Sequence, residues 1–208
     1  MPRPPCLDPR LGDWIFDSTV LNCFWKGGVD QSFIATFTGR THLADEVVRE
    51  ISVPPVSGAS SASGWFHTHE LTLGPHTQGY ARLRQAWGSA PYADRGEAAS
   101  IVLASANKWI FVTDDGVAYH TAQRLGLCVT RSPQVLAGLV RMGRLSASQA
   151  WKAWLQMQAR GQRFGRTVPW SNNVEFAQYC SIQSFERCHR SHPSRSAPLA
   201  PELPEAPA

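Results

Sequence analysis

Long apolar runs are missing from this 208-residue sequence. None approaches the roughly 18 residues that a membrane-spanning helix needs, so no membrane association is expected. Residues 1–10 carry arginines with no hydrophobic stretch behind them, and the expectation is that no secretory signal is present. Cysteine is sparse: Cys6, Cys23, Cys128, Cys180 and Cys188 form an odd set with no C-x-x-C. Neither a disulfide framework nor a structural zinc site is expected from them, and a reducing cytoplasm is the default compartment. Lysine is rarer still. Of the 20 basic residues only Lys26, Lys108 and Lys152 are lysines, and the rest are Arg, whose planar fork is the better phosphate ligand. A formal charge of +4 permits a nucleic-acid partner without demanding one. There is no internal repeat.

Apolar residues make up 43% of the chain, and eight Trp and nine Phe can build a core. That amount suits one compact domain with an appendage. Trp14-Ile15-Phe16 reads as a short strand buried on both faces, ending in Asp17. Val20, Leu21 and Phe24 recur at helical spacing up to Gly27-Gly28. The segment 42–51 is expected to be a helix, with Leu43, Val47, Val48 and Ile51 on one side. Residues 52–64 are rich in Ser, Pro and Gly and read as loop; 65–73 reads as an edge strand and 78–87 as a helix. A helix over 94–107, capped by Asp94, leads into the apolar run 109–113, which ends in Asp114-Asp115. A helix to Leu125, a short strand at 127–130, a helix opened by Ser132-Pro133 and a last helix over 147–159 follow. Strands alternating with helices from residue 13 to about 160 predict a parallel α/β sheet covered on both faces. The pattern decays from Gly161, and residues 189–208 read as a disordered tail.

Ligands in open α/β sheets bind outside the carboxyl ends of the strands, and two apolar strands here end in acids. The helices add Glu50, at the inner margin of its apolar stripe, and Glu97, on the face of Ile101 and Ala104. An acid at a buried edge needs a cation partner. In order, the motifs are Asp17-Ser-Thr-Val-Leu21, Val47-Val-Arg-Glu50-Ile, Arg95-Gly-Glu97-Ala-Ala and Val112-Thr-Asp-Asp115. Together they resemble the PIN-domain nucleases. The stretches around Gly96-Glu97-Ala98, Arg124-Leu-Gly-Leu-Cys-Val-Thr130 and Val135 to Gly143 look like the branch of toxin ribonucleases of toxin–antitoxin pairs.

The resemblance covers residues 13–160, with 161–188 as a basic, aromatic extension. It implies a three-layer α/β/α sandwich with a central parallel sheet, and a metal-dependent endoribonuclease. It carries Asp17, Glu50, Glu97 and Asp115 into an acidic quartet, with Asp114 an alternative to Asp115 as metal ligand, and Thr19 and Thr113 as supporting hydroxyls. Oxygen-only ligation suits Mg²⁺ or Mn²⁺. RNA, an antitoxin protein and a second copy of the chain are the implied partners. A non-catalytic PIN-like module that binds RNA or protein is the alternative. A receiver-type phosphoacceptor fits less well, because no Lys ends a late strand.

Three other features stand outside that pattern. His67-Thr-His69-Glu70 with His76 offers imidazoles, and 67 and 69 share a face of a strand; with no fourth ligand and no helical H-E-x-x-H, no zinc site is expected. Trp151, Trp154 and Leu155 read as core or dimer interface, and Cys23 and Cys128 as core. Residues 160–195 hold Arg160, Arg163, Arg166, Arg187, Arg190 and Arg195 against Glu175 and Glu186, interleaved with Trp170, Phe176, Tyr179 and Phe185. Such a segment either holds RNA by phosphate contacts and base stacking, with Arg160, Arg163 and Arg166 as the first candidates, or drapes over the last helix.

Overall fold

The computed structural model describes residues 5–51, 64–71, 75–87, 95–162, 164, 168, 170–182 and 184–188. Its centre is a five-stranded, all-parallel sheet: β1 (Trp14–Phe16), β2 (Thr41–Ala44), β3 (Phe66–His69), β4 (Ile110–Val112) and β5 (Val129–Thr130). The order across the sheet is β3-β2-β1-β4-β5, so β1 and β4 lie side by side in its middle. Nine helices accompany it among the described residues: α1 (Ser18–Lys26), α2 (Asp30–Phe37), α3 (Asp45–Glu50), α4 (Pro75–Ala86), α5 (Arg95–Asn107), α6 (Gly116–Arg124), α7 (Ser132–Arg141), α8 (Ala147–Ala159) and α9 (Asn173–Ser181).

The layers follow from which side chains each strand offers. Alternation sends Trp14 and Phe16 to one face, where their rings meet Phe37 at 5.2 Å and 5.1 Å. Phe33, also from α2, lies 5.0 Å from Phe16. This aromatic layer is continuous with α1, α7 and α8. The opposite layer is built on α5, which touches β1, β2 and β4 and carries α3, α4 and α6 beside it. Residues 98–104 of α5, Ala-Ala-Ser-Ile-Val-Leu-Ala, are all buried, which is why this helix shows no single apolar stripe. Small residues let it lie close to the sheet. The result is a three-layer α/β/α sandwich.

Several elements depart from the sequence reading. Residues 41–44 form the buried strand β2 rather than the start of a helix, and the helix there is only Asp45–Glu50. Four residues, Thr-His-Leu-Ala, are too few to show either period, and here pairing with β1 and β3 decides it. Helix α2 was not expected at all. Beyond Gly161, helix α9 folds back on α7 and α8, with Asn172 accepting from the Val174 and Glu175 amides at its start. Trp170, Phe176 and Tyr179 are buried there, with Trp170 5.7 Å from Trp154, so these rings are core and not a surface for stacking bases. The draped arrangement holds for them.

Cys128 and Cys188 form a disulfide, which corrects the expectation of unlinked cysteines and of Cys128 as a plain core residue. The bond ties the C-terminal segment to the residue before β5. Beside it the Glu186 amide donates to the Cys6 carbonyl at 2.9 Å, and Thr130 Oγ1 donates to the Pro5 carbonyl. Both ends of the described chain therefore cover the β5 edge, which would otherwise present unpaired backbone groups. Sixty residues separate the two cysteines, and no local pattern in the sequence announces the pair. The Asp94 cap, most of the 52–64 loop and the 189–208 tail lie outside the described residues.

Candidate metal centre

Asp17 follows β1 directly and starts α1. Its backbone is extended and its carboxylate makes no capping bond to the helix, so both oxygens face away from the helix amides. Thr19 Oγ1 donates to Asp17 Oδ2 at 2.5 Å and Thr113 Oγ1 to the same oxygen at 3.1 Å. Ser18 Oγ reaches Asp17 Oδ1 at 3.3 Å and Glu50 Oε2 at 3.1 Å. Three hydroxyls thus hold one fully buried carboxylate at the carboxyl end of the central strand. Both threonines, Thr19 and Thr113, thus donate to the same Asp17 oxygen. Ser18, which bridges two acids, was missed, although its position next to Asp17 was a signal.

Glu50 is the last residue of α3, and Glu97 lies in the first turn of α5. The Gly96 amide donates to Glu50 Oε1 at 3.0 Å and so fixes that side chain. A Cβ on Gly96 would lie 2.7 Å from Glu50 Oε2 and 2.9 Å from Val47 Cγ2, so the two helices approach this closely only because residue 96 has no side chain. Asp17, Glu50 and Glu97 each offer an oxygen, and the three oxygens lie within 4.8 Å of one another. These three come from one strand end and two helices of the opposite layer, and the fold alone brings them together.

The fourth acid behaves differently from expectation. Asp115 caps α6: its Oδ1 accepts from the Ala118 amide at 2.7 Å, and its own amide donates to Thr113 Oγ1 at 3.1 Å. Neither it nor Asp114 is among the three converging oxygens. Its neighbour Asp114 accepts from the Ser132 amide at 3.0 Å and Ser132 Oγ at 2.7 Å, while Arg131 Nη1 holds the Asp114 carbonyl at 2.8 Å. Gln162 also bonds the Asp114 carboxylate and donates from Nε2 to the Thr19 carbonyl at 3.2 Å. The charges of Glu50 and Asp114 both act on Asp17. Ser132 and Gln162 carry no sequence signal for this role.

Burial pushes the Asp17 carboxyl up to about 6, the Thr19 and Thr113 hydroxyls pull it back, and the Glu50 and Asp114 charges raise it further. Burial likewise pushes Asp114 above the usual carboxylate range, opposed by Ser132 and Arg131. Two unit charges about 4 Å apart repel by roughly 4 kcal/mol at an effective dielectric near 20. The group is an all-oxygen set with excess negative charge, a donor set that fits a hard divalent cation.

Of the proposed RNA contacts, Arg160 closes α8 and donates to the Lys26 carbonyl at 2.8 Å, which anchors it near the end of α1. Arg163 and Arg166 lie outside the described residues.

A parallel α/β/α sandwich with carboxylates clustered at the carboxyl edge of its sheet is consistent with a nuclease fold. The family model for DUF3368, a PIN domain, matches residues 13–169, and the chain belongs to the PIN-domain family. Comparison with curated proteins returns no match.

Proposed function

We propose that the protein is a divalent-metal-dependent endoribonuclease, the toxin of a toxin–antitoxin pair. The observation that carries the nuclease reading is the convergence of Asp17, Glu50 and Glu97 within 4.8 Å on the sheet's carboxyl edge. Asp17, Glu50, Glu97 and Asp114 would hold Mg²⁺ or Mn²⁺, which when bound supplies an activated water and neutralises charge on the phosphodiester. Thr19, Thr113 and Ser18 orient the Asp17 and Glu50 oxygens. Gly96 holds Glu50, and Ser132 and Gln162 hold Asp114. Arg160, Arg163 and Arg166 offset the repulsion between an acidic site and RNA phosphates.

The expected partners are single-stranded or structured RNA, an antitoxin and a second copy of the chain, in the cytoplasm. There the Cys128–Cys188 pair is expected as dithiol. No helix among the described residues is long and apolar enough to cross a membrane. The test is incubation of the purified chain with RNA in Mn²⁺ or Mg²⁺, with EDTA and Asp17→Asn controls. Cleavage that needs metal and Asp17 supports the reading. Binding of RNA with no cleavage in either metal makes it a non-catalytic module.

A further inference from the structure

The His67-Thr-His69 motif has no part in the acid cluster, and the structure adds a third imidazole to it. Parallel pairing sets His42 of β2 level with His67 of β3, and Ala44 level with His69. Alternation then sends residues 42, 67 and 69 to one face of the sheet. His42 Nδ1 lies 2.8 Å from His69 Nε2. The His67 ring lies over His42 with centroids 5.5 Å apart, and Trp109 stacks flat against His42 at 3.8 Å. The second nitrogen of His42, Nε2, faces Asp13 Oδ1 at 3.7 Å. His42, His67 and His69 open on a groove lined also by Gly64, Phe66 and Thr68.

We propose that His42, His67 and His69 form a second metal site, for zinc or a similar borderline divalent ion, with Asp13 orienting His42. Imidazole nitrogens favour such ions, whereas the hard Mg²⁺ prefers the oxygens of the acid cluster. Two nitrogens on one tetrahedral zinc, each 2.0–2.1 Å from it, lie about 3.3 Å apart. His42 and His69 therefore need to part by only about half an ångström. His67 is exposed, and a turn of its side chain supplies the third nitrogen; water fills the fourth position. Asp13 takes the place of the outer carboxylate that decides which imidazole nitrogen faces a metal, and Trp109 walls the His42 ring from water. His76, on α4, does not line the groove. An ion here clips the edge strand β3 to β2, independently of any nuclease chemistry.

The test uses the EDTA-washed full chain, equilibrium dialysis with Zn²⁺, and Co²⁺ as a visible-band probe. Wild type and the Asp17→Asn/Glu97→Gln double variant should each bind one Zn²⁺ at this site, and Co²⁺ should give the intense band of a tetrahedral nitrogen site in both. His67→Ala and His69→Ala should each weaken binding at least tenfold and lose that band. His67 is exposed, so its variant should keep the wild-type circular dichroism. Unchanged zinc affinity in either histidine variant, or loss of the band in the acid double variant, overturns the proposal.

Discussion

Asp17 is held by three hydroxyls yet sits wholly out of water beside other carboxylates. Its folded pKa, about 6, exceeds the 3.8 of an ordinary Asp, so protonation favours the fold. Without metal, this contribution is fully present below about pH 4 and is lost as pH rises through about 6. Asp17→Asn removes the charge that causes the loss. At pH 7 in EDTA it should stabilise the protein, by up to about 3 kcal/mol if the whole shift is recovered, and should flatten the rise in stability expected on acidification. Urea melts from pH 5 to 8 read both effects; a variant less stable than wild type at pH 7 makes Asp17 a structural acid. Gly96 gives a second residue-scale prediction. Ala inside a helix is favoured over Gly by about 0.8–1.0 kcal/mol, but a Cβ 2.9 Å from the branched Val47 Cγ2, and 2.7 Å from Glu50 Oε2, costs about 1–3 kcal/mol of overpacking. The clash wins, so Gly96→Ala should lower stability and weaken Mn²⁺ binding about tenfold by moving Glu50. Titration calorimetry checks it: unaltered Mn²⁺ affinity would show that Glu50 does not need its present position.

Among the elements, the turn from β4 into α6 separates two adjacent acids by task. Asp115 spends its carboxylate on the Ala118 amide, a capping bond whose loss costs about 1 kcal/mol. Asp114 turns instead to Ser132 at the start of α7. Asp115→Ala should therefore lower stability by about that amount and leave metal-dependent cleavage within a few-fold. Asp114→Asn should cut cleavage far more while keeping the fold. Parallel turnover and melting measurements on the two variants decide it, and the reverse ranking restores Asp115 to the site. The contrast was invisible in Thr113-Asp-Asp115, because either acid can cap a helix or face the sheet edge, and only the direction of the chain leaving β4 chooses between them.

For the whole molecule, the Cys128–Cys188 bond closes a loop of sixty residues that includes α7, α8 and α9. Constraining a loop that long in the unfolded chain stabilises the fold by up to about 4 kcal/mol. Reduction should lower the denaturation midpoint by a corresponding amount, measured with and without a thiol reductant. Metal affinity should not change, since neither cysteine touches the acids. Loss of Mn²⁺ binding on reduction would mean that the strap over β5 also sets the Ser132–Asp114 contact.

Local sequence alone sufficed for the sheet class, the helix starts at Ser132-Pro133 and Ser146, and three acids that the fold brings together. Apolar runs that end in carboxylates, and helices that keep an acid near a small-residue face, are written in local order and need no distant partner to be read. That residues 41–44 are a strand was settled by packing, since a run that short fits either period until a neighbour pairs with it. Tertiary structure alone placed α9 and its aromatics in the core, joined Cys128 to Cys188, turned Asp115 into a cap, and brought His42 to His69. Each of these depends on residues far apart in the chain, whose proximity is set by how the layers pack and leaves no trace in sequence spacing.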